Sequence, residues 1–288
     1  MTRRFARVLG TAVAGAALAM TMGAIPATAA TAAPAAPGSG AAAVDYTGII
    51  KLSNCSGSLV RLPASQDSDP ALALTNGHCN ENGMPGPGVV QVNKPSSRTM
   101  TLLGQNGRSL GTLRANKIAY STMTDTDVTL YQLDKTYAQI ASTLKGKALT
   151  LSDAKPAAGS AISIKSGYFT RTWTCSIDKF VYQLREGDWT WKDSIRYTST
   201  CDTIHGTSGS PIIDDASNKV VGVNNTGNDD GERCTLNNPC EVDQNGQVTY
   251  QQGLTYGQQT YWFANCVSAG NRIDLAKPGC VLPKPKRV

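Results

Sequence analysis

The chain has 288 residues, of which 40% are hydrophobic and 17% charged, and its formal net charge is +6. This length is too great for a mini-protein. The charge is small and does not form the clustered basic face that nucleic-acid binding requires, so nucleic acids are excluded as partners.

The first 29 residues predict a secretory signal peptide. Three arginines, at positions 3, 4 and 7, precede an apolar run over 8–25, and the small residues A-T-A follow at 27–29. This order is typical of a cleaved leader and not of a membrane anchor. We therefore expect a secreted, extracellular protein without membrane contact after cleavage. The mature chain keeps 24 basic and 21 acidic residues, a net charge of +3.

Residues 30–43 contain mainly Ala, Pro and Gly, which predicts a linker or short propeptide. The folded domain is expected over 44–282, followed by a basic tail at 283–288. Within this domain, short runs of Val, Ile, Leu, Thr and Tyr recur between turn residues, and many alternate with period two. These runs begin at positions 49, 58, 71, 89, 99, 117, 128, 161, 169, 180, 195 and 220.

Helical periodicity is found only near the C-terminus. Trp262, Phe263, Cys266 and Val267 recur at helical spacing, which predicts a helix over about 257–269. About a dozen strands and one helix indicate an all-β protein, and a domain of this size buries its apolar residues most easily as two barrels or one large sandwich.

Eight cysteines in an exported chain favour disulfide bonds, and four bridges are expected. The chain has no C-x-x-C pair and only two histidines, which argues against a zinc site. We expect neither a metal nor another cofactor. The cysteines are at positions 55, 79, 175, 201, 234, 240, 266 and 280.

The segment C-D-T-I-H-G-T-S-G-S-P, residues 201–211, raises the question of a nucleophilic serine. A serine hydroxyl is a weak nucleophile that needs a neighbouring base, which in turn needs an orienting carboxylate. The two histidines are His78, directly after a strand, and His205, three residues before Ser208. Asp127 opens the apolar run D-V-T-L-Y-Q-L, where a buried carboxylate requires a partner; a turn residue at a strand start is the alternative.

Four motifs together resemble the chymotrypsin-like (trypsin-like) serine peptidases. They are S-G-S-L-V after Cys55, T-N-G-H-C at 75–79, D-V-T-L at 127–130 and G-T-S-G-S-P at 206–211, in the family's order and approximate spacing. The resemblance spans about residues 48–270. It implies a double β-barrel, with barrel 1 at about 46–145, barrel 2 at about 155–256 and the C-terminal helix after them.

The resemblance also implies a role for each matching residue. His78 would be the general base, Asp127 its orienting partner and Ser208 the nucleophile, with the amides of Gly206 and Ser208 as the oxyanion hole. His205 would be a rim residue and Ser210 a packed loop residue. An α/β-hydrolase is excluded because both histidines precede the serine, and a subtilisin-like peptidase because the chain lacks alternating strands and helices.

Thr207 stands where many family members carry an acid that pairs with a freed N-terminus. We therefore expect no salt-bridge zymogen switch, as in the bacterial glutamyl endopeptidase branch, whose serine motif this chain resembles. Asp202 lies six residues before Ser208, the offset of the carboxylate that binds Lys or Arg in trypsin-like enzymes. The alternative is a solvated turn residue, because Cys201 does not match the trypsin spacing.

The strand V-V-G-V-N-N-T-G at 220–227 resembles the family's substrate-binding strand. Asn224 occupies the place of a histidine in glutamyl-specific relatives, which counts against acidic specificity. The predicted substrate contacts are Asp202, Thr203, Val223, Asn224 and Asn225.

The resemblance implies one disulfide, Cys55 with Cys79. Proximity in the sequence suggests Cys175 with Cys201, Cys234 with Cys240 and Cys266 with Cys280, while Cys201 with Cys234 is a rival pairing.

The sequence thus predicts a monomeric, secreted serine endopeptidase that acts on peptides or proteins, possessing a Ser-His-Asp triad and a preference for cleavage after Arg or Lys. The alternatives are a catalytically silent relative that binds peptides, and a glutamyl-specific peptidase or esterase.

Overall fold

The computed structural model describes residues 44–286. Its first sheet is a barrel that closes in the order β1-β5-β6-β7-β3-β2, with β2 pairing back to β1. β4 extends from β6, and β8 pairs with β2. The strands are β1 (Ile49–Lys51), β2 (Ser56–Arg61), β3 (Pro70–Thr75), β4 (Val90–Pro95), β5 (Thr99–Leu103), β6 (Ser109–Thr122), β7 (Val128–Thr136) and β8 (Leu149–Thr150).

The second sheet closes in the order β11-β16-β13-β12-β9-β10, because β10 also pairs with β11. The all-β double barrel expected from the sequence is therefore confirmed. Its strands are β9 (Ala161–Ser166), β10 (Arg171–Glu186), β11 (Trp189–Tyr197), β12 (Pro211–Asp214), β13 (Lys219–Gly227), β14 (Cys240–Val242), β15 (Val248–Thr249) and β16 (Thr255–Gln259). A short hairpin of β17 (Val267–Ser268) and β18 (Arg272–Ile273) follows.

Alternating sequence explains how the strands form barrel walls. In β9, Ile162 and Ile164 are fully buried, whereas Ala161, the first residue of the strand, is exposed. Side chains alternate across a strand, so every second apolar residue faces the interior, where each contributes roughly 1.5–3 kcal/mol by burial.

Each barrel has its own apolar core, and a further apolar cluster lies between the two barrels and joins them. It contains Leu72 and Leu74 of the first barrel and Val220 and Val223 of the second, together with Phe263 near the C-terminus. The cleft between the barrels is therefore built on a packed base, which fixes the loops at its edge.

The predicted C-terminal helix over 257–269 is wrong in its extent and type. Residues Thr255–Gln259 form β16, which pairs with β13, and only Tyr261–Asn265 form a 3-10 helix. Trp262 and Phe263 are buried in the cluster between the barrels, so their spacing reports burial and not a continuous helix.

The α-helix of the described chain is α1 (Tyr137–Leu144), which periodicity did not predict. Thr136 caps it: its side chain accepts from the Gln139 amide, and the Gln139 side chain accepts from the Thr136 amide. This T-x-x-Q capping box is a recognisable start signal. The predicted strands at 169 and 180 are a single long strand, β10.

The four expected disulfides are present: Cys55–Cys79, Cys175–Cys201, Cys234–Cys240 and Cys266–Cys280. The rival pair of Cys201 with Cys234 is not formed. The sulfurs of Cys55 and Cys79 lie near His78, but their bond to each other leaves no thiolate for a metal there.

The predicted signal peptide (1–29) and linker (30–43) lie outside the described residues. Between residues 44 and 286, no helix is long and apolar enough to span a membrane.

Candidate active site

His78 and Asp127 are brought together by the pairing of β3 with β7. The two strands are antiparallel, with Thr75 opposite Thr129, so the turn that follows β3 and carries His78 meets Asp127, the residue before the start of β7. Nδ1 of His78 lies 2.7 Å from Oδ2 of the fully buried Asp127. The amide of His78 donates to the other carboxylate oxygen at 3.0 Å. Both carboxylate oxygens thus hold the same histidine.

Two neighbouring residues allow this close approach. A Cβ on Gly77 would lie 2.2 Å from the carbonyl oxygen of Thr122 and 2.8 Å from Oδ1 of Asp127, so only glycine fits. The side chain of Asn76 donates to the main-chain oxygen of Asp127 at 2.9 Å. In T-N-G-H, Asn76 therefore binds the Asp127 main chain, Gly77 allows the close approach, and His78 binds the Asp127 carboxylate.

The pKa of His78 is raised above its ordinary value of 6.5. Burial is the largest single influence and lowers this pKa, but the charge and hydrogen bond of Asp127 and the charge of Glu186 together outweigh it. The imidazolium is thus stabilised in place, which suits a group that must accept a proton during a reaction.

The loop of Ser208 is fastened to both barrels. The Ser208 carbonyl accepts from the amide of Ser56 in β2 at 2.7 Å, and the Gly209 amide donates to the Asn224 carbonyl in β13 at 3.0 Å. Gly209 has a φ of +80°, and a Cβ there would lie 2.1 Å from the Ser56 carbonyl oxygen. The hydroxyl of Ser208 donates to the Asn225 carbonyl at 3.2 Å and makes no hydrogen bond with His78.

The amides of Gly206 and Ser208 have no hydrogen-bond acceptor among residues 44–286. Gly206 has a φ of +88°, a left-handed conformation that glycine adopts without strain. Gly206 and Ser208 line the same cavity as His78. Unpaired amides at such a place are available to a negatively charged oxygen atom.

The cavity that collects these groups has a volume of about 300 Å³. Of the predicted substrate contacts, Thr203, Asn224 and Asn225 line it. The side chain of Asn224 accepts from the Tyr197 hydroxyl at 3.1 Å and donates to the Thr207 hydroxyl at 3.0 Å. Both polar atoms of the Asn225 side chain are buried without a hydrogen-bond partner in the described part of the chain.

Asp202 is not part of this cavity, which corrects the prediction that its carboxylate forms the pocket floor. Its side chain is exposed, and only its main-chain oxygen is engaged, by Trp173 Nε1 at 2.7 Å. Because the neighbouring Cys201 is tied to Cys175, the backbone here turns toward Trp173 and leaves the carboxylate in solvent. The alternative, a solvated turn residue, describes Asp202.

Val223 also does not contact the cavity. Its side chain is fully buried between the barrels, and it pairs with Pro211 on one side and Gln258 on the other. Both edges of β13 are therefore occupied at this residue. Only the last residues of the strand, from Asn225 to Gly227, have an edge that pairing with β12 leaves open.

Of two further residues that line the cavity, sequence reasoning named His205 and missed Glu186. His205 lines the cavity, and its Nε2 is hydrogen-bonded to the Asp229 carboxylate. Glu186, at the end of β10, is 5% exposed. Its position was detectable, because the buried residues Leu184 and Glu186 continue one alternating face of the strand. An acid on the inward face of a strand is a signal of function.

A model of the trypsin-like peptidase domain matches residues 55–223, more than half of the chain, and this segment contains His78, Asp127 and Ser208. The chain belongs to the trypsin-like peptidase family. Membership implies that the substrates of this peptidase are peptides or proteins.

Solved structures of proteases resemble the peptidase at low identity. The apo protease domain of MamO from Magnetospirillum magneticum is 11% identical, covering 74% of this chain and 92% of its own, with a TM-score of 0.44. A Glu endopeptidase in complex with MPD is 18% identical, covering 74% and 85%, with a TM-score of 0.41. The protease Anisep from Arthrobacter nicotinovorans is 15% identical, covering 75% and 90%, with a TM-score of 0.44. No curated protein sequence matches the peptidase significantly.

Proposed function

We propose that the peptidase is a serine endopeptidase that uses Ser208, His78 and Asp127. The observation that carries the proposal is the 2.7 Å contact of His78 Nδ1 with the buried Asp127 carboxylate, in a cavity that also contains the Ser208 hydroxyl. With Nδ1 held by Asp127, the proton-accepting nitrogen of His78 is Nε2.

The reaction proceeds in two acyl transfers. Ser208 Oγ bonds to the carbonyl carbon of the scissile peptide while His78 Nε2 takes its proton. The C–N bond then breaks, the proton passes to the departing amine, and an acyl-enzyme remains. Water attacks this ester with His78 again as base, which releases the carboxylic acid and restores the serine.

The amides of Gly206 and Ser208 donate to the oxyanion that forms at each addition. Removing one such donor in other enzymes costs about 2.7–4 kcal/mol of transition-state stabilisation. The absence of a protein acceptor for either amide, among residues 44–286, supports this role.

The residue before the nucleophile supports activity without a salt-bridge zymogen switch. Thr207 is buried, and its hydroxyl contacts only neutral groups: it donates to the Ile204 carbonyl and accepts from the Asn224 side chain. No charge at this position needs a freed N-terminus as its partner.

The substrate adds as an extended strand along the open edge of β13. Asn225, Thr226 and Gly227 line the cavity, and main-chain pairing there places a peptide carbonyl next to Ser208. Because Asp202 lies outside the cavity, it supplies no preference for Arg or Lys at the residue before the scissile bond.

We place the peptidase outside the cytoplasm. The leader predicted over 1–29 and the four disulfides are both typical of exported proteins. Disulfides of this kind are compatible with an extracellular or a periplasmic location.

The test is the hydrolysis of a fluorogenic peptide library by the purified, oxidised protein and by Ser208→Ala. The variant should lose kcat by roughly 10⁶-fold, the effect of removing a catalytic serine. Ser210→Ala is the matched control, because the Ser210 hydroxyl is buried without a partner within residues 44–286 and its removal breaks no hydrogen bond there.

Cleavage that survives Ser208→Ala would contradict the proposal. A wild-type protein that binds library peptides without cleaving any of them would instead identify a silent binding relative.

A further inference from the structure

The cavity contains a carboxylate that the proposed reaction does not use. Glu186 ends β10 at the tip of the β10–β11 hairpin, and its side chain is 5% exposed. Oε1 accepts from the Asn237 amide at 2.9 Å, whereas Oε2 is buried and has no hydrogen-bond partner of ordinary geometry among residues 44–286, with the Thr226 side chain close to the carboxylate. No lysine or arginine of residues 44–286 forms an ion pair with it.

This arrangement is held in place by the surrounding chain. Asn237 lies in the short loop closed by the Cys234–Cys240 disulfide, and the Gly187 amide donates to the Cys234 carbonyl at 2.9 Å. The carboxylate is thus fixed at a site where no lysine or arginine of the described residues pairs with it, and where His78, whose charge acts on it, is already hydrogen-bonded to Asp127. Burial raises the pKa of Glu186, and the Asn237 amide and the His78 charge oppose this only in part. A buried carboxylate without an ion-pair partner costs folding free energy, and such groups occur where a ligand completes the site.

The charge of the cavity favours a cationic ligand. Three carboxylates line it, and two of them already have a partner: Asp127 is held by His78, and Asp229 by His205. No lysine or arginine lines the cavity as the described residues form it. Glu186 is therefore the carboxylate available to a bound positive charge.

The walls beside Glu186 fit an aliphatic stem. Trp189, Trp191 and Met123 line the cavity. Both indole N–H groups are already used, since Trp191 donates to the Met123 carbonyl at 3.0 Å and Trp189 to the Pro85 carbonyl at 2.9 Å. Apolar ring surface next to a carboxylate matches the long stem and charged end of lysine or arginine.

The position of Glu186 relative to β13 indicates which substrate residue it meets. The Asn225 carbonyl is the acceptor of the Ser208 hydroxyl, so the residue before the scissile bond lies at Asn225. In antiparallel pairing, the earlier residues of the peptide lie along Thr226 and Gly227. The Thr226 side chain lies beside the Glu186 carboxylate. Glu186 thus lies near the substrate residues that precede the one directly before the scissile bond.

We propose that Glu186 binds the ammonium or guanidinium group of a lysine or arginine located second to fourth before the scissile bond. This inference rests on the proposed function, because it takes the direction of the peptide from the attack by Ser208. It replaces Asp202 as the source of a basic preference and moves that preference away from the residue at the cut.

The test compares kcat/KM for peptides that carry lysine or its neutral counterpart norleucine at the first, second, third or fourth position before the bond. For the wild type, lysine at one of the positions two to four should raise kcat/KM by at least about 10-fold, the effect of roughly 1.4 kcal/mol. In Glu186→Gln, which keeps an acceptor for the Asn237 amide, this ratio should fall to near one.

Asp188→Asn is the matched control. Asp188 is exposed two residues further along the same hairpin, and its removal changes the net charge equally, so the ratio should stay at the wild-type value. Glu186→Asp, which keeps the charge but withdraws it by one methylene, should give an intermediate ratio and serves if the glutamine variant fails to fold.

Equilibrium binding in the Ser208→Ala background separates this inference from the proposed reaction. Labelled lysine and norleucine peptides are titrated by fluorescence anisotropy, with and without Glu186→Gln. Tighter binding of the lysine peptide that disappears with Glu186→Gln supports the inference even if no peptide is cleaved. An unchanged ratio in Glu186→Gln, or a lysine preference confined to the first position, would overturn it while the result for Ser208 stands.

Discussion

The hydroxyl of Ser208 donates to the main-chain carbonyl of Asn225 at 3.2 Å, while His78 lines the same cavity without a hydrogen bond to it. Attack requires this hydroxyl to leave the carbonyl and turn toward His78. Since that carbonyl belongs to the edge where the peptide is proposed to bind, a substrate amide would compete for the same acceptor and release the serine.

A covalent complex with a peptide boronic acid tests this rearrangement. We expect its crystal structure to show Ser208 Oγ bonded to boron, His78 Nε2 within hydrogen-bond distance, and the Asn225 carbonyl accepting from the inhibitor. An adduct in which the peptide leaves the Asn225 carbonyl free would contradict this account of the resting serine.

Replacing Asp127 by Asn should reduce kcat by about 10⁴-fold. An amide at this position would donate to Nδ1 of His78 and favour the tautomer whose Nε2 carries the proton, which cannot accept one from Ser208. Stopped assays with an excess of enzyme measure the residual rate. The control is Asp125→Asn, which removes an acid that pairs with Lys192 at the surface; a loss below 10-fold in Asp127→Asn would exclude its orienting role.

The pH dependence of kcat/KM should report the raised pKa of His78. His78 acts as a base only when it is neutral, so activity should rise with pH through its pKa, with the midpoint above 6.5. The charge of Glu186 raises this pKa, so Glu186→Gln should move the ascending limb to lower pH. The measurement is kcat/KM from pH 4 to 9 on a neutral peptide, for the wild type and Glu186→Gln. An ascending limb at the same pH in both proteins would show that the Glu186 charge does not affect the pKa of His78.

Gly209→Ala should destabilise the protein much more than Gly253→Ala. Both glycines have a φ near +80°, so both variants pay the left-handed penalty of about 1–3 kcal/mol. Only at Gly209 would the new Cβ meet backbone, 2.1 Å from the Ser56 oxygen; at Gly253 nothing lies within 4 Å. Thermal unfolding followed by circular dichroism measures the difference, and equal decreases in Tm would be inconsistent with this packing.

Asp202→Asn should leave the discrimination between lysine and norleucine peptides unchanged at every position. The Asp202 carboxylate is exposed and does not line the cavity, and an exposed charge in water contributes little to binding at a distance. The measurement uses the same peptide panel. A lysine preference that disappears with this substitution would show that the Asp202 carboxylate binds the substrate lysine.

Motifs that resemble the trypsin-like peptidases singled out His78 and Asp127, and the structure shows these two residues in contact. His78 and Asp127 lie at the ends of two alternating runs that pair with each other, so T-N-G-H and D-V-T-L lead to a contact as soon as their strands align. The β runs themselves were visible for the same reason.

Other placements depend on contacts that a linear pattern does not contain. The offset of Asp202 from Ser208 matched a motif, but the direction of its side chain is set by Cys175 and Trp173, which lie in another strand. The spacing of Trp262 and Phe263 reflects burial between the barrels, which a short 3-10 helix satisfies as well as a long helix. The position of Glu186 in the cavity is evident only once the residues around it are placed in three dimensions.

The disulfide Cys55–Cys79 has a consequence for how nucleophile and base stay aligned. The carbonyl of Ser208 accepts from Ser56, whose neighbour Cys55 is bonded to Cys79, the residue after His78. One hydrogen bond and one sulfur–sulfur bond thus connect the chain segments that carry Ser208 and His78. Both cysteines are buried, at 3% and 0% exposure, so the disulfide is largely shielded from solvent. Under the proposed function, the alignment of Ser208 with His78 therefore depends on a covalent bond that only the oxidised chain contains.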